Sequence, residues 1–392
     1  MTGSTTAGKN TATDRRTIIR ADNIGSLLKP ERLKTAIAEM YEPGHTSILA
    51  EERQKDFSSL HALEDELIRE AVQKQIDCGI DIVTDGEFRR VLFLNSLYDA
   101  VEGLTPPTAP VSYPKRFADD EEVTWDGAPE VTSRLKRVDN PALREAQFLN
   151  AITEHPKKIT FPAGSFWAGP FGFLQGKTSA AYADREEFLE HLHEIQRGLM
   201  TDVINAGIEN IQLDWPPYVI ACDDSWTDRL ASWGIDRDDM VRRCLDADRR
   251  ILQDVPDGVT TGLHLCRGNH KSRWIWQGSL EPVAEELFQL PYDRFLVEWD
   301  DTNRQGDFSI LRHVPKGPVV VMGLLSSKDP RVESEGVLLR RMDEAAKYLD
   351  MDQLAISTQC GFSSTADGNR VPEDAQWQKL EMVARVASKI WG

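Results

Sequence analysis

Short apolar runs alternate with amphipathic stretches about eight times along this chain, and that rhythm limits the folds open to it. The runs are Thr17–Ile24, Ile80–Asp85, Lys158–Pro162, Asn210–Asp214, Val259–Cys266, Phe295–Trp299, Pro318–Leu324 and Leu354–Thr358. Several are nearly unbroken in apolar residues, as expected of parallel strands covered on both faces. Helical periodicity is expected between them, over Leu63–Cys78, Arg185–Ala206, Arg237–Gln253, Pro282–Leu290, Val337–Tyr348 and Pro372–Trp391, with Gly79 and Gly207 as stop signals. This pattern over 392 residues predicts an α/β fold: a (β/α)8 TIM barrel with an inserted segment after the second strand.

Residues 17–392 thus read as a single barrel domain. Its insertion, 91–157, is too long for a simple β-helix-β return and is rich in Pro and acidic residues; a small β excursion or a lid over the barrel mouth is expected there. Residues 1–16 are rich in Thr, Ser and Gly and lack an apolar segment, so they read as a disordered lead rather than a signal peptide. With 40% hydrophobic residues the chain can bury a large core. Its formal charge of −18, without a long block of like charge, disfavours nucleic acid or an anionic membrane as partner. Five cysteines are too few, and odd in number, for a disulfide framework; they point to a reducing compartment. No apolar run approaches the roughly 20 residues that span a bilayer. A soluble cytoplasmic protein is expected. The oligomeric state is left open, a homo-oligomer included.

In a barrel the chemistry gathers at the C-terminal ends of the strands. The fifth predicted strand ends in His264-Leu-Cys266, the sixth reaches Glu298, and Cys360 follows the eighth. His264 and Cys266 are two apart, so on a strand both point to one side. A lone His or Cys is usually core. One imidazole, two thiols and a carboxylate at successive strand ends instead form a tetrahedral zinc set. Cys78, Cys222 and Cys244 lack such partners and read as structural. At the same rim, Glu87 and Asp214 could clamp a cationic amine, or form internal ion pairs. Ile24-Gly25-Ser26 could meet a carboxylate with backbone N–H groups and a hydroxyl. Trp167, with Trp215, Trp299 and Phe88, is a candidate to stack on a flat ring. Lys328, after the seventh strand, could bind an anion.

Taken in order, Asn23 to Ser26, Asp85 to Arg89, Ile211 to Asp214, His264 to Asn269, Glu298, Gly323 to Lys328 and Gln359 to Gly361 resemble the catalytic barrel of the cobalamin-independent methionine synthases, above all their short single-barrel members. The resemblance covers nearly the whole chain after residue 17. It implies zinc held by His264, Cys266, Glu298 and Cys360, and homocysteine bound through Ile24, Ser26, Glu87 and Asp214. It further implies a methyl group transferred to the homocysteine thiol. It places Asp214 and Lys328 in catalytic positions, Lys328 standing where the long enzymes carry a His linked to departure of the methyl donor. Those enzymes also own a second barrel that helps to hold a polyglutamylated folate, and they read Asp-Glu-Pro where this chain reads Asp214-Trp215-Pro216. The donor is therefore open: a folate, a corrinoid protein or a small methylated metabolite. The epoxyalkane:coenzyme M transferases resemble the same family, which makes thiol–epoxide transfer the alternative. Their sulfonate-bearing acceptor would call for Arg or Lys rather than Glu87 and Asp214.

Overall fold

A computed structural model describes residues 18–41, 53, 55–108, 111–112, 124–125, 129–301 and 305–392. The expected N-terminal lead lies outside the described residues. Ten strands are present among the described residues: β1 (Val101–Thr105), β2 (Val111–Ser112), β3 (Thr124–Trp125), β4 (Glu130–Arg137), β5 (Ile159–Pro162), β6 (Asn210–Asp214), β7 (Thr260–Leu265), β8 (Arg294–Glu298), β9 (Val319–Leu325) and β10 (Leu354–Thr358). The last six form one parallel sheet in sequence order. They match the third to eighth predicted runs. Their buried side chains, Phe161, Leu213, Leu263, Phe295, Val320 and Ile356 among them, belong to the core, as a sheet covered on both faces requires.

The first two predicted strands make single bridges rather than ladders. Ala21 bridges Ile356 at one edge of the sheet and Val83 bridges Lys157 at the other, both parallel. The two segments meet where Asp81 N–H donates to the Ala21 carbonyl at 2.9 Å. Side chains take over what a ladder would supply. Asp81 Oδ2 accepts the backbone N–H groups of Arg20 and Ala21, and Asn23 Nδ2 donates to the Ile82 carbonyl.

Helices Ser58–Asp77, Arg185–Asn205, Arg237–Ile251, Glu335–Ala345 and Glu373–Trp391 agree with the expected periodicity to within a few residues. Asp184 and Asp236 cap two of them by accepting the N–H of Glu187 and Asp239. The stretch expected helical from Pro282 is shorter, a 3-10 turn followed by Ala284–Leu287. Within the segment 91–157, β1 pairs antiparallel with β4, and β2 with β3. The segment also contains a helix, Pro141–Ile152, capped by Asn140 with Pro141 in its first turn. The described part of β4 lies beside Thr178–Ala180 and Arg185–Asn205, with Leu135 N–H donating to Tyr182 Oη at 2.8 Å. No helix among the described residues is long and apolar enough to cross a membrane.

Candidate active site

The strand order sets the site. Asp214 closes β6, His264 lies near the end of β7 with Cys266 just beyond it, Glu298 closes β8, and Cys360 follows β10. Asp214 and His264 are partners in register. One donor atom from each of His264, Cys266 and Cys360 comes within 4.8 Å of the other two, and all three residues are buried. The two sulfurs are 3.6 Å apart. Their hydrogen bond raises the Cys266 thiol well above its usual range and pulls Cys360 well below it, so one thiolate is favoured within the pair. Gly268 N–H donates to Cys266 Sγ at 3.2 Å. His264 Nδ1 lies 3.2 Å from the Leu296 carbonyl, and its Nε2 is buried without a hydrogen-bond partner. A carbonyl that holds Nδ1–H leaves the Nε2 lone pair free to act as a ligand.

These three residues border one cavity. Ile24, Ser26, Glu87 and Asp214 border it too, so four of the expected substrate contacts share one space with the thiols. Glu87 Oε1 accepts from Thr160 Oγ1 at 2.7 Å, and Asp214 Oδ1 accepts from Gln212 Nε2 at 2.7 Å. Burial raises the Glu87 carboxyl and pushes Asp214 up to about 7; their mutual repulsion adds to the shift at Asp214. Backbone strain sits at the rim. Glu87 (φ +55°) and Trp215 (φ +59°) both occupy the left-handed region that side chains rarely adopt.

The catalytic-domain model of the cobalamin-independent synthases matches residues 45–372. This chain belongs to the cobalamin-independent methionine synthase family. Among its relatives, the uncharacterized protein YxjH of Bacillus subtilis is 31% identical and aligns over 98% of each chain. The 5-methyltetrahydropteroyltriglutamate–homocysteine methyltransferase of Dictyostelium discoideum is 23% identical over 81% of this chain but only 34% of its own length. In fold, the chain is similar to a vitamin-B12-independent methionine synthase structure from Listeria monocytogenes, with a TM-score of 0.70, 24% identity, and 95% and 98% of the two chains covered.

Two further site residues expected from the family motifs do not border the cavity. Glu298 stands outside the cluster of three: its Oε2 accepts the Arg267 N–H at 2.7 Å and its Oε1 accepts from Lys328 Nζ at 2.9 Å. Lys328 is buried against Glu298, with Asp300 at 3.8 Å, and does not border the cavity. Trp167 does not border it either. It is buried in an aromatic cluster, with Tyr98 and Phe166 at 5.4 and 4.7 Å between ring centres. Trp167 lies just past the 3-10 turn that follows β5, and that turn carries its indole into the packing. Sequence reasoning missed Leu92, Phe93, Asn269 and Ile275 in the cavity wall. Only Asn269 carried a signal, as the end of the His264-to-Asn269 motif; its Nδ2 donates to the Gly361 carbonyl at 2.7 Å.

Proposed function

We propose that this chain is a zinc-dependent methyltransferase that places a methyl group on the thiol of homocysteine. One observation carries the reading: His264, Cys266 and Cys360 converge beside a cavity that also receives Glu87, Asp214 and Ser26. The donor chemistry fits zinc. Two thiols and an imidazole whose Nε2 lone pair has no other use are a familiar catalytic set, one that keeps a fourth position for substrate. Glu298 is the further candidate ligand. When bound, zinc supplies the positive charge that lets a thiol lose its proton near neutral pH.

The protein's own groups do the rest. The Leu296 carbonyl orients His264. Glu87 and Asp214, crowded and buried, take the ammonium group of an amino-acid substrate, which relieves their mutual repulsion. The Ser26 hydroxyl is placed for its carboxylate. Leu92, Phe93 and Ile275 keep water from the sulfur. Lys328 acts through Glu298, holding that carboxylate at the edge of the cluster. The alternative acceptor, a sulfonate-bearing thiol, would bring a second anion to Glu87 and Asp214, and the site disfavours it.

Metal analysis of the purified protein should find about one zinc per chain, and Cys266→Ser and Cys360→Ser should each lose most of it. X-ray absorption should gain one sulfur neighbour at zinc when homocysteine is added. A zinc-free wild type, or a sulfur count that homocysteine leaves unchanged, would end the proposal.

A further inference from the structure

The residues that border the cavity also include Phe93 and Trp215, and no Lys or Arg is among the described ones. Of the cations nearby, Arg90 pairs with Glu145 and lies 3.6 Å from Glu87, Lys29 Nζ donates to the Glu87 carbonyl at 3.0 Å, and Lys158 pairs with Asp22, Lys271 with Asp367 and Lys328 with Glu298. Besides the thiols, His264 and His270, the ionisable groups that border the space are the carboxylates of Glu87 and Asp214. Trp215 is fixed by its left-handed backbone, by Phe171 stacked at 6.3 Å and by Phe93 edge-on at 6.2 Å. It is also tilted against Phe166 and Trp276, at 5.2 and 5.3 Å. An aromatic wall beside carboxylates attracts a cation and repels an anion.

From this juxtaposition we propose that the methyl donor is a small methylated sulfonium seated against Trp215 and Phe93. The inference rests on the homocysteine reading above. Homocysteine gives its thiol proton to solvent on binding, and its sulfur then forms a bond to the methyl carbon. The bond from that carbon to the sulfonium sulfur breaks, its electron pair stays on the departing sulfur, and a neutral thioether leaves. No oxidant, reductant or proton donor is required. That suits a site whose Lys328 is directed at Glu298, outside the cavity wall. An oligoglutamyl folate, in contrast, brings several carboxylates and a leaving amine that needs a proton.

The test uses the zinc-loaded full chain with homocysteine labelled with 13C in its carbon chain and, in separate reactions, unlabelled S-methylmethionine or triglutamyl methyltetrahydrofolate. Labelled methionine is expected from the sulfonium at a rate at least about tenfold above the folate. Trp215→Leu should raise the KM for S-methylmethionine about tenfold while leaving the calorimetric affinity for homocysteine unchanged. Phe93→Leu should act in the same direction, and saturation-transfer NMR should show the sulfonium methyl groups contacting protein in the wild type only. Transfer from the folate with the sulfonium inert overturns the donor assignment and leaves the homocysteine reading standing. Homocysteine that binds but accepts methyl from neither donor also overturns the assignment. Homocysteine that fails to bind overturns both.

Discussion

A Cβ placed on Gly361 would stand 2.1 Å from Ser26 Oγ, closer than any two such atoms can come. Ser26 cannot simply step aside. Its Oγ accepts the Ser363 N–H at 3.2 Å and its carbonyl accepts the Phe362 N–H at 2.8 Å, so it is tied to the same loop that crowds it. This contact holds Cys360 and Ser26 in one rigid unit, thiol on one side and hydroxyl on the other. Gly361→Ala should therefore cost about 1–3 kcal/mol of stability, the usual toll of an overpacked methyl. It should also weaken homocysteine binding by about tenfold or more, because both groups move. Urea unfolding and calorimetric titration check the two halves. An alanine variant with wild-type affinity would show that the Ser26 hydroxyl has no part in the acceptor site.

At the level of elements, Arg90 joins three pieces of the fold. Its Nε and Nη2 donate to the two carboxylate oxygens of Glu145, at 2.9 and 2.6 Å, on helix Pro141–Ile152. It also donates to Thr160 Oγ1 and to the Thr160 carbonyl on β5. Thr160 in turn donates to Glu87, and Arg90 lies 3.6 Å from that carboxylate. Arg90→Met leaves Glu145 as a buried carboxylate without its partner and should cost about 3–5 kcal/mol. Adding Glu145→Leu should recover much of that loss, since an apolar pair of similar volume avoids the desolvation altogether. A double-mutant cycle by denaturant unfolding measures the coupling, and simple additivity of the two losses would rule out the paired role.

The same elements show what could be read without coordinates. Continuous apolar runs announced the six ladder strands, and with them the rim where His264, Cys266, Asp214 and Cys360 meet. The first two strands were legible as extended segments but not as single bridges, because Asp81 and Asn23, side chains of these same two segments, replace ladder bonds between them. Helix Pro141–Ile152 was hidden inside a segment rich in turn formers, although Asn140-Pro141 is an N-terminal signal. Leu92 and Phe93 carry no chemical mark; only the turn after Arg90 brings them to the cavity. The packing that takes in Trp167 likewise depends on rings from distant segments, which no local pattern reports.

Over the whole molecule, buried titratable groups away from the thiol cluster set the pH dependence of stability. Burial raises Asp85 to about 7, with Glu145 adding to it, and raises Asp248 to about 6. Both hold their proton more tightly folded than unfolded, where an aspartate titrates near about 3.9. Their contribution is fully present below that value and is lost as pH rises through about 6 to 7. His193 runs the other way. Burial lowers it to about 4, with Nε2 against the Gly164 carbonyl and Nδ1 without a partner. Its contribution is present above about 6.5 and is lost as pH falls toward 4. Between pH 8 and about 6.5 the histidine is neutral in both states, so the raised carboxyls of Asp85, Asp248 and Glu64 outweigh Lys29, which burial lowers to about 8, and acidification should stabilise the metal-free protein. Between about 6.5 and 5 the two aspartates, together with Glu64, which burial raises to about 8, outweigh one histidine, so acidification continues to stabilise. Removing the histidine as His193→Gln should steepen the gain in stability on acidification below pH 6.5 and leave it unchanged above. Scanning calorimetry of wild type and variant in chelator, from pH 8 to 5, separates the two windows. A wild-type Tm that falls on acidification from pH 8 to 6.5, or an acid limb that His193→Gln leaves unaltered, would mean that these buried groups do not govern the response. Working without metal matters, since protons compete with zinc for thiolate and imidazole over the same range and would superimpose a loss of opposite sign.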